Sequence, residues 1–164
     1  MAVMSALHVS RAAQNALFVI YVNIKRKRMY SDDRNAYRQL FFTVWQKHQK
    51  QEVLQGVEKQ VLDVILAHPE YHPLLNQPKQ FMTQEFALEE NPFFHMSLHI
   101  AVREQLQLDR PAGIRATYQQ LLTRFTTAVD AEHYMTNVLA NILYQAQSNG
   151  TPPDEQEYLK QLRS

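Results

Sequence analysis

The sequence predicts an all-α fold, a single-domain bundle of five to six helices. Two observations predict it. Apolar residues recur at helical spacing with little two-residue alternation, and only three glycines occur in 164 residues. A chain of this length can bury a core without disulfides or metals as obligatory staples.

The elements follow in order. A first helix spans about Asp33 to His48, with Tyr37, Leu40, Phe41, Val44, Trp45 and His48 on one stripe at the i, i+3, i+4, i+7 spacing of an amphipathic helix. A second covers about Val53 to Ala67, with Leu54, Val57, Val61, Leu62 and Ile65 inward, and Pro69 ends it. A long connection runs from about Pro69 to Glu90, with a short helical piece expected near Thr83–Leu88. Connections of that length often carry function.

The third helix opens on Asn91-Pro92, an N-cap followed by proline at the first helical position, and stops before Pro111. The fourth, about Ala112 to Thr126, buries Ile114, Tyr118, Leu121, Leu122 and Phe125. The fifth, about Asp130 to Gln147, buries Met135, Val138, Leu139 and Ile142 and stops at Gly150. Thr151-Pro-Pro-Asp154 then opens a short last helix carrying Tyr158, Leu159 and Leu162.

Residues 1–28 stand apart. They carry Arg11, Lys25, Arg26, Lys27 and Arg28 and no acid, while the rest of the chain has 12 basic against 16 acidic residues. The apolar run Ala16–Val22 is far shorter than the roughly 20 residues a spanning helix needs. Its charges follow the apolar run, the reverse of a secretory signal. An amphipathic surface anchor is the minor reading. The preferred one is an extension read from an upstream, mis-assigned start, with the native chain beginning at Met29 and one helical domain over 29–164.

The mildly acidic body argues against general nucleic-acid binding, which needs a basic face to displace counterions. No cysteine is present. That excludes disulfides, thiolate metal sites, iron–sulfur clusters and a thiol nucleophile, and suits a cytoplasmic protein. The sequence has no Gly-rich phosphate loop, no Gly-x-Ser-x-Gly turn and no His-Glu-x-x-His helix.

The histidines are the informative residues. His95 and His99 stand four apart on the third helix, about 6 Å from each other on one side, close enough for both imidazoles to hold one metal ion. His68 and His72 bracket His68-Pro-Glu-Tyr-His72 as a second pair. On a helical wheel Glu58 lies on the second helix's buried stripe with Leu62 and Ile65. A carboxylate there must be protonated, ion-paired or metal-bound. His68 shares that stripe about 15 Å further on, so a single ion uses one or the other. On the fifth helix Glu132 flanks the apolar stripe and His133 faces the other side.

The expected ligands of a divalent ion (iron, manganese or zinc) are therefore His95 and His99, joined by His72 or His68, with Glu58 or Glu132 as carboxylate and His133 as a further candidate. Each has a structural alternative. A lone buried histidine such as His48 usually bonds a carbonyl or carboxylate, His68 can interact with the carbonyls at the end of its helix, and Glu58 can pair with Arg103 or Arg115.

The motifs His68-Pro-Glu-Tyr-His72, Asn91-Pro-Phe-Phe-His95-x-Ser97-x-His99, Pro111-x-Gly113-Ile114-Arg115, Glu132-His133 and Ser148-x-Gly150-Thr-Pro-Pro153 together resemble a short proteobacterial family known only as a domain of unknown function. The resemblance covers about Met29 to Arg163. It implies a small cytoplasmic helical protein whose members begin near the equivalent of Met29, and it carries no activity with it. Two functions stay open: a metal-binding bundle, enzymatic or not, and a non-catalytic interaction or scaffold protein with structural histidines. The sequence admits a homo-oligomer or a protein partner and predicts no membrane span.

Overall fold

The computed structural model describes residues 31–164. The N-terminal extension and the start-site reading fall outside the described residues. All regular structure among them is helical: α1 (Ser31–Gln49), α2 (Val57–Leu66), a 3-10 turn (Pro69–Tyr71), α3 (His72–Leu75), α4 (Pro78–Phe81), a second 3-10 turn (Leu88–Glu90), α5 (Pro92–Leu108), α6 (Ile114–Leu122), α7 (Ala128–Asn149) and α8 (Glu155–Arg163). The all-α expectation holds. The helix count exceeds five to six because the long connection contains two four-residue helices, each with proline in its first turn, where the missing N–H costs nothing.

The described residues group into two compact units, one ending at Ile100 and the other running from Ala101 to Ser164. The first unit packs α1 against α2 and α3. Its core is Phe41, Phe42, Val44, Trp45, Val61, Val64, Ile65, Leu75, Phe93 and Met96. Ser97 on α5 accepts a short hydrogen bond from the Tyr37 hydroxyl and donates to the Phe93 carbonyl. Burial pushes the Tyr37 phenol up to about 12, against the opposing effect of the Ser97 bond.

A buried cation holds the connecting segment to α1. Arg38 is 2% exposed, and its Nη1 donates to the carbonyls of Phe81 (3.3 Å), Met82 (2.9 Å) and Gln84 (2.7 Å). These carbonyls lie where α4 ends and helical bonding runs out, and the guanidinium satisfies them. The guanidinium also sits 5.0 Å from the Phe93 ring centre and 5.5 Å from that of Phe86.

In the second unit α6, α7 and α8 pack on one another. Ile114, Leu121, Met135, Leu139, Ile142, Tyr158 and Leu162 are buried there. Local chemistry sets the helix ends. The Thr127 side chain accepts the Asp130 N–H and bonds its carboxylate, and Asp154 accepts the N–H groups of Gln156 and Glu157. Gly150 closes α7 in the left-handed region at φ 67.

Four expectations change, three of them at element boundaries. α2 begins at Val57 rather than Val53, after a turn with Gln51 and Gly56 at positive φ, which leaves Val57 52% exposed. Residues 83–87 lie between helical pieces instead of forming one, and Leu88 opens the second 3-10 turn. α6 stops at Leu122, four residues early, with Thr123 as its C-cap. His48 falls on the stripe of α1 yet is exposed at the helix end, its ring 5.5 Å from that of Trp45.

Candidate metal centre

Three histidines converge inside the first unit. α5 supplies two. Asn91 Oδ1 accepts the N–H groups of Phe93 and Phe94 at 3.0 and 3.1 Å, which starts the helix on Pro92. One turn in, His95 and His99 project from the same side, with their Nε2 atoms 3.2 Å apart and ring centres 4.8 Å apart. At that distance one imidazole donates its proton to the other.

The third comes from the end of α2. A residue before proline is pushed out of the helical region, and His68 takes φ −126, ψ 66 ahead of Pro69. Its Nδ1 stands 2.8 Å from the Val64 carbonyl, an acceptor only, so Nδ1 carries a proton. The His68 ring lies 4.4 Å from that of His99 and 5.0 Å from that of His95. His68 and His99 are each 1% exposed.

Ring nitrogens of these three histidines all fall within 4.8 Å of one another. Two nitrogens bound at about 2.0–2.1 Å to one tetrahedral ion stand about 3.3–3.4 Å apart. The His95–His99 separation of 3.2 Å is close to that value. Tyr71 forms a wall beside them, nearly parallel to His68 (5.8 Å, 7°) and edge-on to His95 (6.0 Å). Burial, then the neighbouring Glu70 charge, raises its phenol pKa. Nothing in the sequence singles out Tyr71 beyond its place between the paired histidines.

The other sequence candidates are placed differently. His72 puts Nε2 2.9 Å from the Ile65 carbonyl and stacks on Trp45 with ring centres 4.3 Å apart. The two histidines of the His68-Pro-Glu-Tyr-His72 motif thus bond successive carbonyls at the end of α2, and only His68 also meets the α5 pair. We expect His72→Ala to cost about 1–2 kcal/mol in urea unfolding while the protein's metal content stays unchanged.

Glu58 sits in the first turn of α2, where a negative charge meets the positive end of the helix. It is ion-paired with Lys47 at 2.5 Å and accepts the Gln55 N–H, so its partner is neither Arg103 nor Arg115. The Lys47 hydrogen bond, followed by the Gln55 N–H, holds its carboxyl below the usual glutamate range. A carboxyl pKa lowered by folding stabilises the native state above its unfolded value, and that contribution disappears as pH falls through the folded value. Glu58→Gln should therefore flatten the loss of stability on acidification below the ordinary glutamate range and leave the neutral-pH slope untouched, as read from melting curves across pH.

On α7, in the second unit, Glu132 accepts from Arg103 Nε at 2.8 Å, and His133 Nδ1 stands 3.0 Å from the Val129 carbonyl.

Comparison with protein families bears on what this arrangement belongs to. Residues 33–164 match the family model described as a domain of unknown function, DUF1841. The chain belongs to that family. The DUF1841 match spans both units and includes all seven candidate ligands. No curated protein and no solved structure matched the chain.

Proposed function

We propose that this DUF1841 protein is a small cytoplasmic metal-binding protein whose ion is held by the imidazoles of His68, His95 and His99. One observation carries the reading: two separate helix segments bring three imidazoles together, with ring nitrogens within 4.8 Å. Buried histidines commonly bond a carbonyl and stop there. Here His68 bonds Val64 through Nδ1 while its ring stands 4.4 Å from that of His99. That is the arrangement of a ligand histidine whose far nitrogen is fixed by a backbone oxygen.

The test is metal analysis and zinc titration of untagged protein. Wild type should hold about one ion per chain, and His95→Ala/His99→Ala should hold none. His68→Ala should weaken binding by at least roughly tenfold, the usual scale for losing a group that fixes or forms the site. His133 remains a ligand candidate on sequence grounds, and His133→Ala in the same titration decides it. A wild-type protein that binds no ion after incubation with zinc sinks the proposal.

A second reading rests on the carbonyl bonds of His68 and His72. Both histidines stabilise the end of α2, as a non-catalytic interaction or scaffold protein with structural histidines requires. It expects the same double variant to lose stability equally with and without chelator.

A further inference from the structure

The carboxylates of the first unit lie outside the histidine cluster. Among the described residues no Asp or Glu oxygen joins it. Glu58 is paired with Lys47, and Glu70, the acid next to Tyr71, is exposed. Glu132, the other carboxylate the sequence nominates, is paired with Arg103 in the second unit. The donor set is therefore made of imidazole nitrogens in a largely buried setting.

We propose that the site selects late first-row divalent ions, with zinc and cobalt as representatives, and discriminates against manganese and magnesium. This rests on the metal-binding reading above and narrows it. Manganese and magnesium are hard ions that give up water readily only to oxygen donors, above all anionic ones. A buried cluster of imidazoles offers them none, so lost hydration goes uncompensated. Imidazole suits zinc, copper, nickel and iron, and nitrogen-site affinity rises from manganese through iron and cobalt toward copper before falling at zinc. The two-histidine, one-carboxylate arrangement that holds ferrous iron in oxygenases needs a carboxylate as well, and among the described residues none joins the cluster. The site thus drops manganese from the three metals the sequence left open and favours zinc over iron.

The experiment is cobalt binding followed by competition, using the full chain without a tag. Cobalt should give a visible absorption spectrum that saturates near one equivalent. Equimolar zinc should abolish it, whereas manganese should need an excess of roughly a hundredfold or more. His95→Asp, checked for native helicity by circular dichroism, reintroduces an oxygen ligand and should narrow the zinc-to-manganese ratio by at least about tenfold. Displacement of cobalt by comparable manganese overturns the selectivity and leaves the metal reading standing. A wild-type protein that binds neither cobalt nor zinc removes both. An unchanged ratio in a folded His95→Asp protein overturns the assignment of His95 as a donor that sets selectivity.

Discussion

Zinc is expected to raise the melting temperature of the wild-type protein by roughly 5–10 °C over the chelated form, and to leave His95→Ala/His99→Ala unmoved. An ion that binds only the native state stabilises it by mass action, about 2.7 kcal/mol at a hundred times its dissociation constant. For a chain of this size each kcal/mol shifts the midpoint by about 2–4 °C. The native-only condition follows from the geometry. His68 and the α5 pair come from segments brought together by packing, so the unfolded chain presents no comparable site. The double variant also removes a contact between two largely buried rings, and its midpoint without metal should itself be lower. The decisive quantity is therefore the difference between zinc and chelator within each protein. Equal differences in wild type and double variant would place the ion elsewhere, and no difference in either would return the histidines to a purely structural role.

Arg38→Ala is expected to be the most damaging of the single substitutions considered for this protein, at about 3–5 kcal/mol. Hydrogen bonds made by a charged group contribute about 1.5–3 kcal/mol each, and buried carbonyls left without a donor add a desolvation penalty. Arg38 serves three carbonyls at the end of α4 and packs its guanidinium by Phe86 and Phe93. Removing it leaves those oxygens without this donor and opens space beside the core phenyl rings. Urea unfolding should show a lower midpoint with little change in slope, since the surface exposed on unfolding is nearly the same. Arg38→Lys keeps the charge but loses the planar fork, and should recover only part of the loss. A cost below about 1 kcal/mol for Arg38→Ala would mean that water replaces the guanidinium at these carbonyls.

Some of this was legible in advance because it is local. The α5 start could be read from Asn91-Pro92, and the α7 stop from Gly150, because caps depend on a few adjacent residues and their φ/ψ preferences. The closeness of His95 and His99 needed only helical spacing. Glu58 does share α2 with Leu62 and Ile65, but it stands in the first turn of that helix and not in its middle. The chain turns at Gln51 and Gly56 first, and Glu58 becomes a first-turn residue within reach of Lys47. Arg38 gave no signal, since nothing near it in sequence marks the carbonyls of residues 81, 82 and 84 as its partners.

By itself, then, the chain determined its helical class, most helix ends and the α5 histidine pair, because periodicity and capping act over a few residues. Tertiary structure decided which of His68 and His72 meets that pair and which lies on Trp45, and it gave Glu58 and Glu132 to Lys47 and Arg103. Those outcomes depend on how α1, α2 and α5 pack within the first unit, and on how the α5 and α7 side chains meet within the second. A side chain's partner across tens of residues is set by burial and by competition among all available groups, which no local spacing encodes.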